Sequence, residues 1–245
     1  MPSTLQTISA IAAAAASVNA AMGPALSTGP VSDSTFIRES TATLVLPEVP
    51  TNNKGDASLW VGMGTSNGDL IQSISDNWNS DKWSIFAYTL VSLGEGNGQT
   101  VVQDDTPTEA GAGDEVTMHC KHLNDRSKSI QAHRANHFLP VDKFDDASGN
   151  YTQTVSINGE VVSTLSTSSG RAQGWGSSVE CAEENCGTMP AHKWTDAKII
   201  LDAADASYDQ TLALGEGVTG SMTTSDGGKT WEIGTFEIPE FTFGS

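Results

Sequence analysis

The chain has 245 residues, of which 37% are hydrophobic, enough for one sizeable core and for a single large all-β domain. The 12 Lys plus Arg against 30 Asp plus Glu give a formal net charge of -18. A surface of this charge repels phosphate backbones and anionic membranes, which excludes nucleic acid as a partner.

The N-terminus predicts a secretory signal peptide over residues 1–20. An uncharged apolar stretch runs from Ile8 to Val18, and the small residues up to Ala20 complete a V-x-A cleavage pattern. The usual basic segment is missing, and a buried N-terminal helix is the alternative. No later run reaches the roughly 20 apolar residues of a membrane span, so we expect secretion to the extracellular side without stable membrane insertion.

Short strands separated by Gly, Asn, Asp and Ser clusters dominate the rest of the chain, residues 21–245. Segments such as "TATLVLPEV", "SLWVGMG", "DLIQSISDNW" and "EVTMHCKHL" combine β-branched and aromatic residues with partial period-two alternation. "SINGEV" predicts a two-residue Asn-Gly hairpin, because a type I′ turn needs positive φ at both central residues. We predict one domain, an all-β antiparallel β-sandwich (jelly-roll or concanavalin-like).

The cysteines and one sequon agree with secretion. Cys181 and Cys186 are close enough to close a small loop by disulfide, which leaves Cys120 as a buried thiol on a strand. "NYT" places a glycosylation sequon at Asn150, in a Gly- and Asp-rich loop. In "HCKHL" the cysteine and one histidine lie on one strand face and the other histidine on the opposite face, so we expect no metal site.

Other patterns indicate structure rather than chemistry. "TSDGGKTW", residues 224–231, predicts a hairpin turn in which Asp226 accepts hydrogen bonds from backbone amides and Trp231 packs beneath. No P-loop, nucleophile elbow or dinucleotide fingerprint occurs, so we expect no cofactor.

"STATLVLPEVP", "SLWVGMG" and "DLIQSISDNW" together resemble the eqolisins, secreted fungal glutamic peptidases. The resemblance implies two strongly curved antiparallel sheets with a substrate groove on the concave face. Gln72 falls on the family's catalytic glutamine, and Asp76 on its neighbouring aspartate. A glutamate then acts as general base on a water that the glutamine amide helps to hold. Aligned through the carboxylates this glutamate is Glu180; aligned through the cysteines its position is taken by Gly176.

"WSIFAYTL" corresponds to an aromatic strand of that family but contains no acid. A groove with aromatics and fewer carboxylates suits a neutral, apolar ligand better than peptide hydrolysis. The signal-like start, the sequon and "VECAEENCGTMPAHKW" resemble the small secreted fungal proteins that couple an o-quinone methide to a macrocyclic terpene in a hetero-Diels–Alder reaction. That resemblance implies a reaction without metal, nucleophile or cofactor, which needs two apolar partners in reactive geometry and a donor to the heterodiene oxygen.

Three functions stay open from the sequence. The first is a cofactor-free cycloaddition enzyme of fungal secondary metabolism that acts on small apolar organic substrates, with Gln72 or His192 as donor. The second is an acid glutamic endopeptidase that cleaves polypeptides with Gln72 and Glu180. The third is a noncatalytic sugar- or ligand-binding sandwich. The candidate substrate-binding side chains are Trp60, Asp76, Trp78, Trp83, Phe86 and Tyr88. For each aromatic residue among them, the alternative is a place in the inter-sheet core.

Overall fold

The computed structural model describes residues 20–94, 96–122, 150–183 and 185–244. Within these ranges nearly all regular structure is β-strand, and one 3-10 turn, Tyr208–Thr211, is helical. No helix in the described part is long and apolar enough to cross a membrane. The predicted signal peptide, 1–20, lies outside the described residues except for its last position.

The strands follow one another along the chain with short connections. In order they are β1 (Ala21–Thr28), β2 (Ile37–Val45), β3 (Asp56–Thr65), β4 (Leu70–Trp78), β5 (Trp83–Ser92), β6 (Gln99–Gln103), β7 (Thr108–Ala110), β8 (Glu115–His122), β9 (Asn150–Ile157), β10 (Glu160–Ser168), β11 (Ala172–Glu183), β12 (Thr188–Met189), β13 (His192–Leu201), β14 (Ala213–Leu214), β15 (Thr230–Ile238) and β16 (Phe241–Thr242).

The strands form an antiparallel β-sandwich, as predicted. One layer has the order β6-β5-β4-β3-β11-β1, with β7 on β5 and β14 on β1, and the other has the order β10-β9-β8-β2-β13-β15. The layers are continuous at one corner, where Ala172 of β11 pairs with Ile37 of β2. A small separate sheet joins β12 to β16.

The main core lies between the two layers and takes alternate side chains of the central strands, because strand side chains alternate between faces. On β3, for example, Leu59, Val61 and Met63 are buried in this core. Trp83 of β5 and Trp175 of β11 are also buried there. Each large apolar side chain that leaves water stabilises the fold by about 1.5–3 kcal/mol.

Hydrogen bonds fix how one layer sits on the other. The Tyr151 hydroxyl of β9 donates to the Ile37 carbonyl at 2.6 Å and accepts from the Ala172 amide at 3.0 Å. Gln153 Nε2, also on β9, donates to the Tyr88 carbonyl of β5 at 2.9 Å. Because buried polar groups are costly without partners, these bonds hold β5 and β11 in a defined position over β9.

The local predictions for turns and cysteines are confirmed. Asn158 and Gly159 both have positive φ, 51° and 86°, and join β9 to β10. Cys181 and Cys186 form a disulfide, and Cys120 is free and buried.

The turn before β15 also has the predicted form. Asp226 Oδ1 accepts from the amides of Lys229 and Thr230 at 3.1 and 2.9 Å, and Trp231 is buried beneath it. One local prediction is wrong: Asn150 is the first residue of β9, where it pairs with Ser168, and does not lie in a loop.

Candidate active site

The face of β11, β3, β4 and β5 that points away from the main core carries the candidate site, and we call it the outer face. Antiparallel pairing aligns its side chains in three cross-strand rows. From β11 to β5 these are the amide row (Gly176, Gly62, Gln72, Tyr88), the aromatic row (Ser178, Trp60, Ile74, Phe86) and the carboxyl row (Glu180, Ser58, Asp76, Ser84).

The aromatic row forms an apolar floor. Trp60, Ile74 and Phe86 join Leu70 in a buried hydrophobic cluster that is separate from the main core. Partly buried side chains pack against this cluster, namely Met22, Tyr88 and Leu90. The sandwich therefore has a second apolar region outside its inter-layer core, directly between the amide and carboxyl rows.

Two aspartates form a hydrogen-bonded pair at one end of the outer face. Asp76 bonds the side chain of Asp56, which lies one row further along β3, opposite Trp78. Burial, followed by this hydrogen bond and by the charges of Asp56 and Glu180, raises the pKa of Asp76 to about 9. Asp76 is therefore protonated at neutral pH. Asp56 Oδ1 is buried and has no hydrogen-bond partner among the described residues.

Glu180 is the third carboxyl group of this region. The Trp60 indole N–H donates to Glu180 Oε2 at 2.8 Å. Burial raises the pKa of Glu180, the Trp60 hydrogen bond acts against this rise, and the charge of Asp56 adds to it. On its other side Glu180 pairs with Met22 of β1. The carboxyl is thus fixed in an apolar surrounding that favours its protonated form.

Tyr88 belongs to the amide row, and its phenol is influenced by the charges of the three carboxyl groups. Burial, followed by the charges of Glu180, Asp56 and Asp76, raises the pKa of Tyr88 to about 12. The hydroxyl therefore stays protonated and can donate a hydrogen bond. A neutral carboxyl and a phenol in an apolar site form a donor set that can stabilise negative charge growing on a substrate oxygen.

Gln72 and Glu180 are not brought together. They share the outer face, as predicted, but Gln72 lies in the amide row and Glu180 in the carboxyl row, on opposite sides of β3. The offset is about 13 Å along the strands and about 10 Å across them, at ~3.3 Å per residue and ~4.8 Å per strand. The residue of β11 level with Gln72 is Gly176. This register is unfavourable for a water shared by Gln72 and Glu180.

Two of the predicted binding residues lie away from the outer face, and a third lies at its exposed edge. Trp83 is wrong as a groove wall, because it lies in the inter-layer core and its indole N–H donates to the Pro47 carbonyl at 3.0 Å. His192 is wrong as a donor to this site, because it lies on β13 of the other layer, opposite Ile238. Trp78 is on the outer face but 58% exposed, at the end of β4.

Asp56 is the site residue that the sequence prediction missed. It belongs to the same parity as Trp60 on β3, so the period-two rule puts both side chains on one face. Among the described residues no group of three or more His, Cys, Asp or Glu has the geometry to hold a metal ion.

Comparison with solved structures identifies the fold class. The chain is similar to scytalido-glutamic peptidase, solved with a transition state analog inhibitor, at 13% identity and a TM-score of 0.50 over 89% of this chain and 98% of that one. It is also similar to SCP-B, an eqolisin in complex with the tripeptide Ala-Ile-His, at 14% identity and a TM-score of 0.44 over 89% and 98%. Comparisons with protein-family models and with curated proteins give no match.

A weaker similarity is found to a family 16 endo-glucanase from Bacteroides ovatus, at 12% identity and a TM-score of 0.35 over 69% of this chain and 72% of that chain. The fold is thus an eqolisin-like β-sandwich. At these identities the likeness defines the fold and leaves the chemistry to the side chains of the outer face.

Proposed function

We propose that the chain is a cofactor-free enzyme that binds small apolar molecules on the outer face and promotes a hetero-Diels–Alder cycloaddition between an o-quinone methide and a terpene alkene. The observation that carries this proposal is the position of neutral oxygen donors beside an apolar floor. Asp76, which holds a proton at neutral pH, and the Tyr88 hydroxyl border the cluster of Trp60, Ile74 and Phe86.

The reaction matches this donor set. One C–C and one C–O bond form between the ends of the heterodiene and the two alkene carbons. Three π-electron pairs become two σ bonds and one double bond, which completes the aromatic ring of the product, and no proton or electron leaves the substrates. Negative charge grows on the heterodiene oxygen, where the Tyr88 hydroxyl and the proton held by Asp76 can stabilise it. The apolar floor holds both partners in reactive geometry.

The test is the rate of adduct formation from an o-quinone methide precursor and a macrocyclic sesquiterpene. We expect the wild-type protein to accelerate the reaction and Tyr88→Phe to reduce the acceleration about 10²–10³-fold, the effect of losing one preorganised donor. Tyr208→Phe is the matched control, because it removes a buried hydroxyl that bonds Thr28 away from the site. Equal losses in both variants, or no acceleration by the wild type, would contradict the proposal.

An acid endopeptidase is the second candidate, and the eqolisin-like fold together with the raised pKa of Glu180 favours it. Cleavage of a denatured protein between about pH 2 and 5, lost in both Gln72→Ala and Glu180→Gln, would establish peptidase activity in place of the cycloaddition. Binding of the terpene without conversion would leave a noncatalytic binding sandwich.

We also propose that the chain is secreted as one domain, residues 21–245, after removal of the signal peptide 1–20, with a glycan at Asn150. The Cys181–Cys186 disulfide supports an oxidising compartment. N-terminal sequencing of the secreted protein should start at Ala21. Its mass should fall on enzymatic deglycosylation, and Asn150→Gln should abolish that fall.

A further inference from the structure

A second cavity adjoins the outer face. Its volume is about 660 Å³, and it lies between β1, β14 and the segment from Pro239 to Phe241. Among the described residues its wall is formed mainly by Gly, Ala, Pro, Leu, Met and Phe, and the charged residues that line it are Glu216 and Glu240. Leu214 is part of the wall and is 42% exposed, so the cavity opens to solvent next to this side chain.

Two residues belong to both the cavity and the candidate site. Met22 lines the cavity, pairs with Glu180 across β1 and β11, and packs against the apolar cluster of the outer face. Ser178 lines the cavity and stands opposite Trp60 in the aromatic row. The cavity therefore adjoins Glu180 and the β11 end of the aromatic row.

We propose that this cavity binds the hydrocarbon partner of the reaction, a neutral molecule rich in hydrocarbon and without an anionic group. Cavities of about 300–1,000 Å³ with mostly apolar walls are typical for small-molecule ligands. Glu216 and Glu240 disfavour an anion, and the net charge of -18 adds to this repulsion. The identity of the ligand as a reaction partner rests on the proposed function, whereas the binding site itself does not.

A pair of fluorescent probes tests the ligand class on the full chain. N-phenyl-1-naphthylamine is neutral, and 8-anilinonaphthalene-1-sulfonate carries the same aromatic body with a sulfonate. We expect the neutral probe to bind with at least tenfold higher affinity than the anionic probe. Equal affinities, or tighter binding of the sulfonate, would overturn the proposal.

Variants test the location. Ala213 of β14 lines the cavity and is only partly buried, so Ala213→Phe fills the space without entering the main core. We expect a tenfold or greater loss of affinity for the neutral probe. Val161→Phe adds the same ring at a 62% exposed position of β10, in the other layer, and should leave the affinity unchanged. Leu214→Gln, at the exposed edge, should weaken binding even if Ala213→Phe does not fold.

The same variants separate this proposal from the proposed reaction. If adduct formation is sensitive to Tyr88→Phe but neither adduct formation nor probe binding changes in folded Ala213→Phe and Leu214→Gln, the cavity assignment fails and the reaction stands. If the wild type forms no adduct but binds the neutral probe, and Ala213→Phe weakens this binding, the cavity assignment is kept and the proposed reaction is rejected. A thermal unfolding midpoint for each variant establishes that it is folded.

Discussion

The amide row and the carboxyl row occupy the same face of the same strands but differ in what they can do. The amide row contains Gln72 on β4, Gly62 on β3, Gly176 on β11 and the phenol of Tyr88 on β5. The carboxyl row contains Glu180 and Asp76, with Asp56 hydrogen-bonded to it. One row therefore offers an amide without an acid at its level, and the other offers acids without an amide.

This difference shows that register decides which groups can act together. A shift of four residues along a strand keeps a side chain on the same face, because the side-chain period is two, but moves it by about 13 Å. Gln72 and Asp76 are related in this way on β4, as are Gly176 and Glu180 on β11. An acid that is present in the sequence and on the right face can still be outside the reach of the amide.

The largest effect should separate the two rows directly. Asp76→Ala removes the Asp76 proton and should slow adduct formation by about 100-fold or more, as expected for a preorganised donor. Gln72→Ala should slow it less than about threefold, since Gln72 lies about 13 Å along β4 from Asp76 and is not one of the proposed donors. Initial rates at pH 7 measure both. A greater loss in Gln72→Ala than in Asp76→Ala would assign the chemistry to the Gln72 amide.

The same substitution on opposite faces of the layer should have different consequences. Trp83→Phe should lower the free energy of unfolding by about 1–3 kcal/mol, because it removes core volume and the hydrogen bond to Pro47. Trp60→Phe should also destabilise the chain, but it additionally removes the hydrogen bond that opposes the rise in the pKa of Glu180. The pKa of Glu180 should therefore rise further in Trp60→Phe.

Urea unfolding and the pH dependence of the rate distinguish the two tryptophans. As a carboxyl of the same row whose protonated form is favoured, Glu180 is expected to add to the donor set, so the pH–rate profile should move to higher pH in Trp60→Phe and stay in place in Trp83→Phe. Identical profiles for the two variants would show that Glu180 does not take part in the reaction.

A smaller effect concerns stability as a function of pH. The unfolded chain releases the Asp76 proton near the ordinary value of 3.8, whereas the folded chain keeps it to about pH 9. Between these values the folded chain binds more protons, so the free energy of unfolding falls as the pH rises. The contribution of Asp76 to the free energy of unfolding is complete below about pH 4 and is lost as the pH rises through about 9.

Asp76→Asn should reduce the fall in unfolding free energy between pH 4.5 and 8.5 by at least about 1.4 kcal/mol, the equivalent of one pKa unit. Asp226→Asn is the matched control. Hydrogen bonds, first of all from the Thr230 amide, lower the pKa of Asp226, so its contribution is lost in acid and not in base. If the free energy of unfolding falls with pH in both variants as much as it does in the wild type, Asp76 is ionised in the folded protein at neutral pH.

Local patterns in the sequence were sufficient for the fold class. Period-two alternation defined most strands, and the Asn-Gly pair at Asn158 and Gly159 defined a hairpin, because these signals depend on neighbours in the chain. The same period-two reasoning could have corrected the prediction that Trp83 lines the groove. It is three residues from Phe86, an odd separation, so the two side chains cannot share a face of β5.

The composition of the site could not be predicted in the same way. The bond between Asp56 and Asp76 depends on the register between β3 and β4, and the level of Glu180 depends on the register between β3 and β11. A motif fixes neither register, because pairing between strands distant in sequence is set by the packing of the whole sandwich.

The smallest expected effect is that of His192, and it tests whether the site is confined to the outer face. Burial lowers the pKa of His192 to about 4, and its Nδ1 is 3.0 Å from the Pro190 carbonyl, which can only accept, so Nδ1 carries the proton of a neutral imidazole. Its strand belongs to the layer opposite the outer face. His192→Gln should therefore change the rate of adduct formation less than twofold at pH 7, although the loss of a buried ring should lower the free energy of unfolding. A loss of tenfold or more in a folded variant would mean that His192 takes part in the reaction and that Asp76 and Tyr88 do not account for it.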